Sequence, residues 1–92
     1  MHTIVVVDDE YYFRQAMKRY LSEWEDEYQC VGESKNGKEG LGLIRNLCPD
    51  IVLMDINMPV MGGLEVIQTL ADENLGDKLQ RKIILLTGYD EF

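Results

Sequence analysis

Basic residues are scarce in this chain: nine Lys and Arg stand against 17 Asp and Glu, for a net charge of −8. An acidic surface repels phosphodiester backbones and anionic lipid alike, so direct binding of nucleic acid or a charged membrane by this segment is not expected. Cysteine is also sparse. The two present, Cys30 and Cys48, form no CxxC pair, and both are expected as buried free thiols rather than disulfide partners or metal ligands. No apolar run approaches the roughly 20 residues that span a bilayer. Met1-His2-Thr3-Ile4 enters an apolar run with no charged leader or cleavage site, so no signal peptide is expected. These absences together favour the cytoplasm. Neither GxGxxG nor GxxxxGK followed by Ser or Thr occurs, which sets nucleotide-binding enzymes aside. Internal repeats, linkers and low-complexity tracts are missing too. The single histidine, His2, has no visible partner and reads as a surface residue.

What is present fits one globular core: 92 residues, 46% hydrophobic and 28% charged. Thr3 to Val7 is a β-branched run that suits a strand buried on both faces. From about Tyr11 the spacing changes to threes and fours. Phe13, Met17, Tyr20, Leu21 and Trp24 mark the apolar face of a helix expected to end in Glu25-Asp26-Glu27. Tyr28 to Glu33 alternates loosely, as an edge strand would. After the Asn36-Gly37 turn signal a second helix carries Leu41, Ile44 and Cys48 on its stripe, flanked by Leu43 and Leu47, and Pro49 ends it. Asp50 to Asp55 is a third strand. A loop with Pro59 and Gly62-Gly63 leads to a third helix with Leu64, Ile67, Leu70 and Ala71 inward. Asn74 to Gln80 reads as a loop, and Lys82 to Leu86 as a fourth strand closed by Thr87-Gly88. The order β-α-β-α-β-α-β predicts the α/β class, a parallel sheet with helices on both faces.

Three of the four strands end in polar groups: Asp8-Asp9, Asp55 and Thr87. Ligands of open α/β sheets bind beyond the carboxyl ends of the strands. Neighbouring strands lie about 4.8 Å apart, so Asp8, Asp9 and Asp55 share a pocket if the first and third strands are adjacent. Taken singly, each has a plainer reading: a helix N-cap for Asp55, a solvated loop for Asp8-Asp9, β-propensity for Thr87. Their conjunction on one sheet edge points to a site. Carboxylates so close repel one another, and at least one is expected to titrate high without a cation. Mg²⁺ suits such an oxygen-rich site, and with it an anionic phosphoryl group can approach a carboxylate nucleophile.

At these residues the chain resembles the receiver domain of two-component response regulators. The resemblance is carried by Val7-Asp8-Asp9-Glu10, by Met54-Asp55-Ile56-Asn57-Met58-Pro59-Val60-Met61-Gly62-Gly63 and by Leu85-Leu86-Thr87-Gly88-Tyr89. It implies a flavodoxin-like sheet, here in the order 2-1-3-4. It also implies that Asp55 accepts a phosphoryl group from a sensor histidine kinase. Asp9, Asp55 and the backbone carbonyl of Asn57 would bind Mg²⁺ directly, and Asp8 through a water. Thr87 would be the switch hydroxyl, while Asn57 and Tyr89 would tune the lifetime of the phosphorylated state. Pro59 and Gly63 would shape the loop after the acceptor, and Glu10 would begin the first helix. Trp24 reads as core or partial cover, and Met58 and Met61 as loop packing.

Residues 1–92 are expected to be a receiver incomplete at its C-terminus, lacking a fourth helix, a fifth strand with its lysine, and a fifth helix. The fourth strand would then be an open apolar edge, prone to self-association or to marginal stability. Residues 74–81 look longer than is usual in the family. Thr87 to Phe92 resembles receivers joined to AraC-type DNA-binding domains, which implies a DNA-binding output outside this chain and a role in transcription regulation. A haloacid-dehalogenase-type hydrolase would carry a second Asp where Asn57 stands, so the chain is not expected to be an enzyme. The alternative is a receiver-like interaction module that is not phosphorylated in this form.

Overall fold

In a computed structural model of the chain, the described residues are 1–73 and 82–86. They form β1 (His2–Val7), α1 (Tyr11–Ser22), β2 (Tyr28–Ser34), α2 (Gly37–Leu47), β3 (Ile51–Asp55), α3 (Gly63–Asp72) and β4 (Lys82–Leu86). All strand pairs are parallel and the sheet order is β2-β1-β3-β4. The fold class and strand order are those expected, with β2 at one edge and β4 at the other. Asn74 to Arg81 and Thr87 to Phe92 lie outside the described residues, and with them the loop-length, Thr87, Tyr89 and AraC-type expectations.

Alternation along β1 builds two cores. Val5 and Val7 face Leu41, Ile44, Val52, Met54, Val66 and Leu70, which places α2 and α3 on one side of the sheet. Ile4 and Val6 face Leu21 and the partly buried Met17 of α1 on the other. The β-branched run is therefore apolar throughout because both of its faces are covered. Val7 pairs with Met54, so the next residue along, Asp8, emerges beside Asp55 at the end of β3.

Several side chains depart from the periodicity. α1 stops at Ser22, before the acidic stretch, and Trp24 falls in the turn beyond it, 47% exposed; Tyr20 is also exposed. A helix of 12 residues has room for one stripe against the sheet, here Met17 and Leu21, which turns Tyr20 outward. Cys48 is not buried. It is the left-handed C-cap of α2 (φ 46°), a place where the chain leaves the helix surface, and both cysteines are free thiols. In α3 the buried stripe is Gly63, Val66 and Leu70, with Leu64 and Ala71 exposed. Gly63 sits against the end of β3 and rotates the helix so that Val66, not Leu64, meets the core.

Pro49 does end α2, and Asn36 begins it, its side chain accepting from the Glu39 N–H at 2.9 Å. Such a cap is worth about 1 kcal/mol. The N–H of Gly37 donates to the Met61 carbonyl (3.0 Å), which ties the start of α2 to the loop after β3. Met58 and Met61 pack against the larger core, as loop packing predicts. No helix among the described residues is long and apolar enough to cross a membrane.

Candidate functional site

The carboxyl ends of β1 and β3 carry the site. Asp8 follows β1, buried, with its main chain held from two sides: its N–H donates to the Ser34 carbonyl (3.0 Å), and its carbonyl accepts from Arg14 Nη1 (2.7 Å). Its Oδ1 accepts from the Glu10 N–H at 2.8 Å, which turns the chain into α1, and Glu10 is the N-cap residue. Asp9, the next residue, is exposed. Asp55 closes β3, 7% exposed, and its Oδ1 accepts from the Asn57 N–H at 3.2 Å. Carboxylate oxygens of Asp8, Asp9 and Asp55 lie within 4.8 Å of one another. The three acids read from the strand ends therefore converge as expected.

A cleft of about 480 Å³ opens beside them, lined by Asp9, Asn57, Met58, Pro59, Gly62 and Glu65 among others. The loop that forms its wall folds back tightly. The Gly63 N–H donates to the Ile56 carbonyl (2.9 Å) and the Met61 N–H to the Pro59 carbonyl (2.7 Å). A Cβ on Gly63 would stand 2.5 Å from the Asp55 carbonyl oxygen, so glycine is required by close approach. Val60 takes a positive φ of 71° at the tip of this loop, a conformation that its β-branched side chain disfavours.

Electrostatics follow from the packing. Burial raises the Asp8 carboxyl above its ordinary value, against the opposing Glu10 N–H, and the charges of Asp55 and Asp9 raise it further. Burial likewise raises Asp55, partly offset by the Asn57 N–H, with Asp9 adding to the rise. The anticipated repulsion is thus present, with desolvation as the larger cause. Because both folded values exceed the unfolded ones, the folded state holds these protons more tightly. The contribution of these two groups to metal-free stability should therefore rise as pH falls from neutrality towards 3.8, the ordinary Asp value, and gain nothing more below it. Glu33, Asp50 and Glu73 shift downward, so their stabilisation is lost only as pH falls below the ordinary carboxylate values. Thermal unfolding in a chelator between pH 7 and about 5 checks this. An Asp8→Asn variant should flatten the slope, and an unchanged slope would refute the assignment.

The donor set fits a hard divalent cation: three oxygen ligands, at least two of them desolvated and repelling one another until a cation joins them. Sequence reading missed Arg14, Glu33 and Gly37. Arg14 and Glu33 are 19 residues apart on different elements, so no periodicity links them. Gly37 was visible only as half of a turn signal.

Comparison with known proteins bears on the family and the fold. A family model described as the response regulator receiver domain matches residues 4–92. The transcriptional regulatory protein YdfI of Bacillus subtilis is 40% identical over 91 residues, covering 99% of this chain and 40% of that protein. A protein-glutamate methylesterase/protein-glutamine glutaminase of Lawsonia intracellularis is 40% identical over 73 residues, 79% of this chain and 20% of the relative. Among solved structures, the signal receiver domain of the putative response regulator NarL from Mycobacterium tuberculosis superposes with a TM-score of 0.83 at 32% identity. That match covers 98% of this chain and 68% of the other. The chain thus spans less than half the length of these curated relatives.

Proposed function

The chain belongs to the response regulator receiver domain family, and from that premise we propose that it is a phosphoacceptor module whose acceptor is Asp55. The observation that carries this reading is the convergence of three carboxylates at the carboxyl ends of β1 and β3, beside an open cleft that Asp9 and Asn57 line. Asp55 is well placed as a nucleophile: buried enough to be poorly hydrated, and oriented by the Asn57 N–H. One carboxylate oxygen attacks phosphorus, the bond from phosphorus to the donor breaks, and the leaving group takes the electron pair and a proton. With a phosphohistidine on a sensor histidine kinase as donor, the leaving group is imidazole. Asp9, Asp55 and the Asn57 carbonyl would hold Mg²⁺, with Asp8 acting through water. When bound, Mg²⁺ would neutralise the carboxylates and the incoming phosphoryl oxygens. Thr87 would supply the switch hydroxyl.

In this reading the domain is a signalling switch without turnover of its own, and it works in the cytoplasm. The relatives named as transcriptional regulators favour a DNA-binding output, whereas the methylesterase relative shows that the same module is joined to an enzyme in another protein. Residues 1–92 are read as part of one receiver. Ile84 of the edge strand β4 is 45% exposed, and this edge is where a further strand, or a second copy of the chain, would pair.

Incubation with Mg²⁺ and acetyl phosphate tests the reading. One adduct of about 80 Da is expected, labile to hydroxylamine as an acyl phosphate should be, carried on the peptide that contains Asp55 and absent when Mg²⁺ is chelated. A folded, Mg²⁺-binding protein that took no phosphoryl group would instead favour the unphosphorylated interaction module.

A further inference from the structure

The side chains behind the acidic pocket form a polar network that phosphoryl acceptance does not itself require. Arg14 lies on the first turn of α1 with its side chain only 12% exposed. Its Nε donates to Glu33 Oε1 at 2.8 Å while its Nη1 donates to the Asp8 carbonyl at 2.7 Å. Gln15 Nε2 donates to the same Glu33 oxygen at 3.1 Å, and Lys18 Nζ reaches the other, Oε2. One carboxylate on the edge strand thus gathers three donors from a single helix, and one of those donors reaches on to the end of β1.

We propose that Arg14, braced by Glu33, is a positioning residue for the acidic pocket: it fixes the Asp8–Asp9 peptide unit and so the direction in which Asp9 is presented. The inference rests on the reading of Asp8, Asp9 and Asp55 as a cation site. The Asp8 carbonyl and the Asp9 N–H belong to one planar unit. A guanidinium that anchors the carbonyl therefore sets the orientation of the Asp9 amide and the position of its Cα. Asp9 needs this help. It is exposed, while Asp8 and Asp55 are immobilised by burial and by main-chain donors. The preceding peptide unit is tied to β2 directly, by the Asp8 N–H on the Ser34 carbonyl, and the Asp8–Asp9 unit is tied to β2 through Arg14 and Glu33. Arginine is the suitable residue because its rigid fork serves both partners at once. An ammonium at the end of a flexible stem offers no such fixed pair of donors.

Arg14→Lys separates positioning from bulk stability, because it keeps the charge, the stem and an ion pair with Glu33 but loses the fork. The thermal midpoint should fall by no more than about 5 °C. Mg²⁺ affinity, measured by calorimetry well below that midpoint, should weaken about tenfold, the loss usual for an outer-shell partner of a metal ligand. In the metal-free protein the Asp9 amide NMR resonance should move. A Lys variant that binds Mg²⁺ as wild type does, with its Asp9 amide unmoved, overturns the proposal. If wild type itself binds no Mg²⁺, the cation reading fails separately and the Asp9 amide alone decides: displaced, the Arg14 assignment stands; unmoved, it falls. Should Arg14→Lys fold poorly, Glu33→Gln attacks the brace from the other end. The Asp9 amide should again move and affinity drop about threefold, and an unmoved amide overturns the assignment.

Discussion

An Asp55→Asn variant is expected to take up no phosphoryl group from acetyl phosphate under conditions in which the wild type is modified. The amide is nearly isosteric, so the packing of β3 and the Asn57 N–H contact to the side-chain oxygen have every reason to persist. What disappears is the nucleophile. An uncharged amide oxygen is a far weaker nucleophile than a carboxylate, and no acyl phosphate can form at that position. Asp8 and Asp9 remain close by, within 4.8 Å, so the experiment also asks whether proximity alone suffices. If Asp55 is the acceptor, neither Asp8, whose Oδ1 is taken by the Glu10 N–H at the start of α1, nor the exposed Asp9 is expected to substitute. Intact mass distinguishes the outcomes. An adduct that persists in Asp55→Asn at wild-type yield would move the acceptor elsewhere. The variant should also be more stable than wild type in a chelator at pH 7, because a desolvated charge has been removed.

Gly37→Ala is expected to cost about 3 kcal/mol, and so to lower the thermal midpoint by about 15 °C. A Cβ there would lie 2.1 Å from the Met61 carbonyl oxygen and 2.9 Å from Val66 Cγ2. The first obstacle is backbone, and it is held by the hydrogen bond from Gly37 itself (3.0 Å), so it cannot yield without moving the loop. Moving the loop disturbs the wall of the cleft, which couples this helix start to the site. Gly42, in the middle of the same helix, is the control. A Cβ there meets nothing within 4 Å, so Gly42→Ala should stabilise the protein by about 0.5–1 kcal/mol through helix propensity and a less mobile unfolded chain. Chemical denaturation of the two variants checks both signs. Equal effects would mean that helix propensity, and not close approach, governs these positions.

Much of this architecture was legible in the chain. The apolar runs ending at Val7 and Asp55, and the switch of period after Tyr11, were enough for element order and fold class. Failures of the periodicity cluster where tertiary contacts choose among equivalent helical faces. Tyr20 and Leu64 sit at apolar positions of acceptable spacing yet are exposed, whereas Trp24 and Cys48 are exposed because their helices end before them. A helix shows which residues share a stripe, but its rotation against the sheet is set by what else must fit. For α3 that is the approach of Gly63 to the Asp55 carbonyl.

By itself the sequence determined the α/β alternation, the doubly covered first strand, and the acids and loop glycines at the strand ends, because local periodicity and chain punctuation encode them directly. Adjacency of β1 and β3 came from family resemblance, since no local pattern specifies which parallel strands pair. Only the tertiary structure decided the rest. It brought Arg14 and Glu33 together behind Asp8, pressed Gly37 against Met61, and left Asp9 exposed while burying Asp8. These are contacts between residues distant in sequence, and they exist only once sheet order and helix rotation have placed their elements side by side.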